Sequence, residues 1–148
     1  MSYKTQYTLD TLLEMYDDGL IAASAIWEVD GVDKILDVGA GETAADVLID
    51  VSAIETASGD EAYTLIIQGS PDADFGTDTS IVELVQLHLG ADATKLSDAN
   101  GDDVVGRYVL PFQNVHAGTV YRYIRGYTTV AGTIATGINY TAWMCKRK

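Results

Sequence analysis

After Gly19 the apolar residues of this chain recur at every second position, and that change of period restricts it to β-structure. Ile21, Ala23, Ala25 and Trp27 alternate, and residues 34–38 form a short apolar run. Val47, Ile49 and Val51 alternate with Leu48 and Asp50, and residues 62–68 read AYTLIIQ. Ile81, Glu83, Val85, Leu87 and Leu89 alternate with Val82, Leu84, Gln86 and His88. Residues 104–112, 119–129 and 133–144 complete eight candidate strands. Between them lie clusters rich in Gly, Asp, Asn and Ser, which supply positive φ or local side-chain bonds for turns. Eight short strands in 148 residues predict an all-β jelly roll or β-sandwich of about eight antiparallel strands. A chain of this length buries roughly 70% of its unfolded surface and needs no disulfide framework, which its single cysteine could not supply.

Before Gly19 the pattern differs. Leu9, Leu12, Leu13 and Tyr16 have helical spacing, so a short helix is expected over residues 8–17. Thr8 or Asp10 would cap it and Gly19 would end it. The expected organisation is an N-terminal arm or short helix at 1–19, a sandwich at 20–145 and a basic tail at 146–148. Residues 1–20 are interrupted by charge and lack the apolar core of a secretory leader. The longest uncharged apolar stretch, residues 19–27, falls far below the ~20 residues of a membrane span. A soluble protein made in a cytoplasm is therefore expected.

Charge is segregated along the chain. All 22 acidic residues lie between Asp10 and Asp103, and within residues 1–103 only Lys4, Lys34 and Lys95 oppose them, a net of −19. From residue 104 onward there is no acid, and six cations give +6. Two arrangements fit: the basic strands neutralise acidic ones in the same fold, or they dock an acidic neighbour. The overall charge of −13 argues against nucleic acid and anionic membranes as partners. Tyr121, Tyr123 and Tyr127 interleave with Arg122 and Arg125, and Tyr140 and Trp143 follow. Aromatic and Arg enrichment marks interface cores. The candidate partner contacts are Arg107, Arg122, Arg125, Trp143, Lys146, Arg147 and Lys148.

Other motifs read as structure. Residues 35–41, ILDVGAG, resemble the first motif of Rossmann-type methyltransferases. Thr43 stands where that motif wants a third small residue, and the period-two segments downstream leave no room for crossover helices. The expectation is a strand followed by a tight glycine turn. Asp98, Asn100 and Asp102 have the first ligand spacings of an EF-hand loop, but Asp103 and Val109 replace its Gly and Glu. Asp72, Asp74 and Asp78 form a similar loop. Both read as solvated turns, and no metal or cofactor is expected. His88 is placed on an exposed strand face, His116 in a turn, and Cys145 at a strand end beside Lys146 and Arg147, cations that lower a thiol pKa. No catalytic constellation stands out.

The succession ILDVGAG, ADVLIDVS, AYTLIIQGSPDADFGT, YVLPFQNV and YRYIRGYTTVAGTIATGINYTAWM resembles the jelly-roll cement, or decoration, proteins of podovirus-type tailed bacteriophages. The resemblance runs over residues 20–144 and is best in the C-terminal block. It implies a non-enzymatic structural protein on the outer surface of the virion capsid. Such a protein sits on an HK97-type shell of major capsid protein, commonly as a homodimer at two-fold positions, and stabilises contacts between capsomers. The alternative is a carbohydrate- or calcium-binding sandwich module, and a methyltransferase ranks below both.

Overall fold

The computed structural model describes residues 9–76, 80–91 and 105–146. Fourteen strand segments occur among them. β1 (Glu14–Tyr16), β2 (Leu20–Ile21), β7 (Ala44–Ile54), β10 (Gly106–Gln113) and β14 (Ile138–Lys146) form the first sheet. β3 (Ala25–Ile26), β6 (Ile35–Asp37), β8 (Ala62–Ser70), β9 (Val82–Leu89) and β13 (Tyr123–Ala131) form the second. Two hairpins stand apart from both sheets: β4 (Glu28–Val29) with β5 (Val32–Asp33), and β11 (Val115–His116) with β12 (Thr119–Val120). Each turns on two residues of positive φ, Asp30–Gly31 and Ala117–Gly118, as a type I′ turn requires.

All pairings are antiparallel. The first sheet runs β1/β2, β14, β7, β10, and the second runs β3/β6, β13, β8, β9. The chain changes sheet between β2 and β3, then at β6–β7, β7–β8, β9–β10, β10–β13 and β13–β14. Only β8–β9 is a hairpin between long strands of one sheet. This is jelly-roll topology, in which two four-position sheets are wound from one folded ribbon. The all-β sandwich is as expected, with more strand segments than the expected eight: the run expected at 21–27 is divided between β2 of the first sheet and β3 of the second, and β1 lies where a helix was expected. The segment count is higher because two edge positions are each split in two and because of the accessory hairpins.

The expected helix over 8–17 is reduced to one 3-10 turn, Thr11–Leu13. Asp10 caps it, its carboxylate accepting from Leu12 N at 2.9 Å. Residues 14–16 then join the sheet, with Glu14 opposite Trp143 and Tyr16 opposite Ala142. The edge of β14 offers a full row of backbone partners, and pairing with it outweighs the weak propensity of a short helix. Leu9 and Leu12 remain exposed, while Met15 and Tyr16 are buried.

The core lies between the sheets. Ala45, Val47, Ile49 and Val51 of β7 face Tyr63, Leu65 and Ile67 of β8 across it. Leu48 and Ile66 are also buried but lie outside this cluster, on the outward faces. At one end, Trp27 fills the gap between the sheets. Its indole N–H donates to Thr128 Oγ1 at 2.7 Å, and that hydroxyl lies 2.6 Å from Tyr140 OH. All three residues are fully buried, and Tyr16 and Trp27 pack on the Tyr140 ring at 4.8 and 5.5 Å between centroids. Residue 126 must be glycine, because a Cβ there would sit 2.0 Å from the Trp27 ring.

The four sheet edges are blunted. Those at β1/β2 and β3/β6 are only two or three residues per segment. Pro111 interrupts the donors of β10, and β9 carries a bulge and the exposed Glu83. Short, bulged or proline-bearing edges resist strand addition.

Thr128→Val keeps the shape of residue 128 and removes the hydroxyl on which Trp27 and Tyr140 converge. Leaving two buried polar groups without that partner should cost about 2–4 kcal/mol. Urea unfolding followed by tryptophan fluorescence measures it, and a loss below about 0.5 kcal/mol would show that the bridge is not what joins the sheets.

Candidate functional site

The acid-free C-terminal strands lie beside acidic ones. Arg107 on β10 stands opposite Asp50 on β7 and meets its carboxylate with two hydrogen bonds, at 2.7 and 2.8 Å. Arg122, just before β13, makes the same two-point contact with Asp37 at the end of β6. Two of the six cations are thereby paired inside the fold, the first of the two arrangements that the charge pattern allowed. Both pairs are about half exposed, so each adds little to stability.

The remaining candidate contacts divide between the outward faces. On the second sheet, Tyr123, Arg125 and Tyr127 alternate outward from β13, because Ile124, Gly126 and Thr128 face the core. Tyr127 lies between Ile26 and Ile66 in the strand register. Arg125 lies between Ile35 and Gln68, and its Nε donates to Gln68 Oε1 at 2.8 Å. Its guanidinium covers the ring of Phe75, 4.4 Å from the centroid. Phe75 is buried with φ at +53°, an uncommon conformation for a bulky side chain. The Arg122 guanidinium lies 5.4 Å from the Tyr123 ring centre. Cation–π contacts of this kind hold aromatic and Arg side chains in fixed positions. Arg122 and Arg125 share this face with Asp37 and Glu83, and the loop that carries Phe75 adds the exposed Asp72 and Asp74.

On the first sheet, Trp143 stands in a row with Glu14, Leu48 and Val109. Trp143 is half-buried and Leu48 wholly buried. Val109, in that row, is 44% exposed, and the 3-10 turn with Leu12, 75% exposed, packs beside β14. Lys146 closes β14 and is exposed, while Arg147 and Lys148 lie outside the described residues.

Several motifs resolve as structural. Asp37 caps the glycine turn by accepting from Gly39 N at 3.0 Å, in addition to holding Arg122. The next element is the eleven-residue β7, so no helix N-terminus faces Gly39 and Gly41. Asn114, fully buried and without a signal in the periodicity, clamps that turn. Its Oδ1 accepts from Thr43 N at 2.6 Å, and its Nδ2 donates to Gly41 O and Tyr121 O, each at 3.0 Å. Of the two acidic loops, residues 98–103 lie outside the described residues, as do Thr77 and Asp78. In the other loop, Asp74 accepts from Gly76 N at 3.0 Å. Among the described residues, no group of three His, Cys, Asp or Glu side chains is placed to hold a metal ion, and no helix is long and apolar enough to cross a membrane.

His88 is exposed, with Nδ1 3.0 Å from Thr64 Oγ1, and His116 is exposed on the β11–β12 hairpin. Cys145 is buried, and burial together with Asp46 pushes its thiol pKa up, the opposite of activation by neighbouring cations. The described residues line several surface clefts, three of which bear on the question. One is bounded by Glu55, Thr136 and Gly137, one by Glu42, Gln113 and Val115, and one by Tyr16, Ala22 and Glu28. In the first, the Glu55 carboxylate is already held by the backbone N–H groups of Ala135, Thr136 and Gly137, which close the β13–β14 loop. Asp60 holds the same loop through the N–H and hydroxyl of Thr133.

No protein-family model matches the chain, and no curated protein matches it.

Four carboxylates bind the fold in their ionised form and have lowered pKa values. The Arg122 hydrogen bonds, helped by Gly39 N–H, bring Asp37 to about 2. Arg107 lowers Asp50, and backbone N–H groups lower Glu55 and Asp60. As pH falls, the unfolded chain takes up protons first, near the ordinary values of 3.8 and 4.5, so the stability these groups contribute is present above that range. It is lost progressively as pH drops from about 4.5 towards 2. Thermal unfolding between pH 2 and 6 should show a falling Tm in that window. Asp37→Asn should lower the Tm at pH 6 and flatten the acid limb, and a variant curve parallel to that of the wild type would contradict the assignment.

Proposed function

We propose that this protein is a non-enzymatic capsid cement protein that binds the outer surface of a phage head and stabilises contacts between subunits of the major capsid protein. The resemblance of residues 20–144 to jelly-roll decoration proteins motivates the reading, and the jelly roll is compatible with it. The observation that carries it is the character of the two sheet faces. Both are broad and carry half-buried aromatic side chains beside paired charges, Trp143 with Arg107–Asp50 on one and Tyr123 and Tyr127 with Arg122–Asp37 on the other, while the sheet edges resist strand addition. A body of this kind attaches through its faces.

The first sheet's outward face supplies the shell contact in this reading. Trp143 and Val109 are its apolar anchors, and exposed apolar side chains on one face mark a partner site. Lys146, followed in sequence by Arg147 and Lys148, supplies the positive charge towards an acidic neighbour. Arg107 is held to Asp50 and stiffens the rim of that face. Self-association into a homodimer belongs to the same proposal, since paired copies bind a repetitive surface with avidity.

Co-expression with the major capsid protein encoded in the same genome, followed by sedimentation and cryo-electron microscopy of the particles, tests the reading. Density on the outside of the shell is expected. Val109→Asp and Trp143→Ala should each lower occupancy at least tenfold at limiting protein, and removal of residues 146–148 should make attachment more salt-sensitive. Bare shells beside the folded wild-type protein would overturn the cement reading.

A further inference from the structure

The connection from β13 to β14 crosses one end of the sandwich. Residues 132–137 belong to no strand, and carboxylates take the place of ladder partners for their N–H groups. Glu55 Oε2 accepts from Ala135 N at 2.9 Å, Thr136 N at 2.6 Å and Gly137 N at 2.9 Å. Asp60 accepts from Thr133 N at 3.0 Å and from the Thr133 hydroxyl at 2.9 Å. A glycine of positive φ stands at each end, Gly132 at +94° and Gly137 at +98°. Both ends are pinned by close approach. A Cβ on Gly132 would sit 2.1 Å from Asp60 O, and one on Gly137 2.2 Å from Ile21 O. Between them Thr133, Ala135 and Thr136 are exposed, and Ile134 is half-buried against the core. Beside the segment lies a cleft of about 460 Å³ whose walls include Leu20, Ile54 and Ala57.

We propose that residues 133–136 form an acid-released strap, latched over this end of the sandwich by ionised Glu55 and Asp60 and free to swing out between Gly132 and Gly137 once both are protonated, while the two sheets stay folded. An ionised carboxylate only accepts hydrogen bonds, and its bonds to N–H groups are roughly twice as strong as neutral ones. Protonation removes the charge and turns one oxygen into a donor that faces other donors, so the set of bonds cannot be kept. The strands on either side do not depend on the strap. β13 pairs with β8, and β14 with β7, over nine residues each. Release uncovers Ile134 and the neighbouring Ile54, so the same step exposes apolar surface at this end.

The groups around the latch leave it to Glu55 and Asp60. The strap itself has no titratable side chain. The Tyr63 hydroxyl donates to Glu55 O at 3.2 Å, and burial, with Glu55 and Glu61 nearby, pushes its pKa up to about 12, so it stays neutral through the acid range. The Glu61 carboxylate accepts from Ser58 N and Gly59 N, not from the strap. Among the described residues no cation pairs with Glu55 or Asp60. The hydrogen bonds from the strap hold both carboxyls below their ordinary values of 4.5 and 3.8. The latch is therefore fully present above that range and is lost as pH falls through it towards the lowered values.

Hydrogen–deuterium exchange of the full-length protein, read by mass spectrometry and corrected for the intrinsic rate at each pH, separates local opening from global unfolding. Between pH 6 and pH 3 the protection of residues 133–137 should fall at least tenfold more than that of β7, β8, β13 and β14. Glu55→Gln/Asp60→Asn, measured at pH 7, should show the same local loss with an unchanged circular dichroism spectrum, because neither amide carries charge. Glu55→Gln alone keeps the Asp60 latch and guards against a double variant that fails to fold, and it should give a smaller loss confined to the same residues. Asp37→Asn removes a carboxylate from a different turn and should leave the strap at wild-type protection at pH 7. Strap amides that exchange only in step with the strands as pH falls overturn the assignment. So does a folded Glu55→Gln or double variant with wild-type protection at 133–137, or an equal loss there in Asp37→Asn.

Discussion

Trp27 lies against the backbone of Gly126 with no room for a single methyl group, and its indole N–H reaches the one hydroxyl that also meets Tyr140. That contact joins the segment between β3 and β4 to β13 in the second sheet and β14 in the first. Two stacked sheets held only by apolar side chains can slide, because the hydrophobic effect has no direction. A buried hydrogen-bonded bridge does not slide, since breaking it leaves polar groups without water. The aromatic packing of Tyr16 on Tyr140 brings the N-terminal strand into the same arrangement.

The loops are held by carboxylates. Glu55 and Asp60 hold the β13–β14 connection, Glu61 accepts from the N–H groups of Ser58 and Gly59, and Asp37 caps the turn before β7. Four of the 22 carboxylates are therefore used to close turns. Arg107 and Arg122 are paired across strands with two further carboxylates, Asp50 and Asp37.

This division makes a cement protein physically reasonable. In the proposed reading, rigidity would come from the core and adhesion from the faces. Closed edges matter as much as sticky faces, because a β-protein displayed in many copies beside itself must not polymerise through its strands.

The alternation after Gly19 and the Gly- and Asp-rich turns were enough to read a sandwich of about eight strands, because side-chain period and turn chemistry are local properties. Asp10, one of the two caps the sequence offered, and the strand-then-turn character of residues 35–41 were legible for the same reason. The helix expected over 8–17 was not realised. The spacing of Leu9, Leu12, Leu13 and Tyr16 is compatible with a helix, but the open edge of β14 lies more than 100 positions away in sequence. The charge segregation was visible, yet which cation meets which acid depended on β10 lying beside β7 and on β6 ending beside Arg122. Asn114 and Phe75 had no signal at all, since a clamp and a stacking platform exist only once distant segments meet. The sequence by itself determined the strands and where they turn. The tertiary structure decided which strands are neighbours, and with that which of the six C-terminal cations are paired inside the fold and which side chains stand together on an outward face.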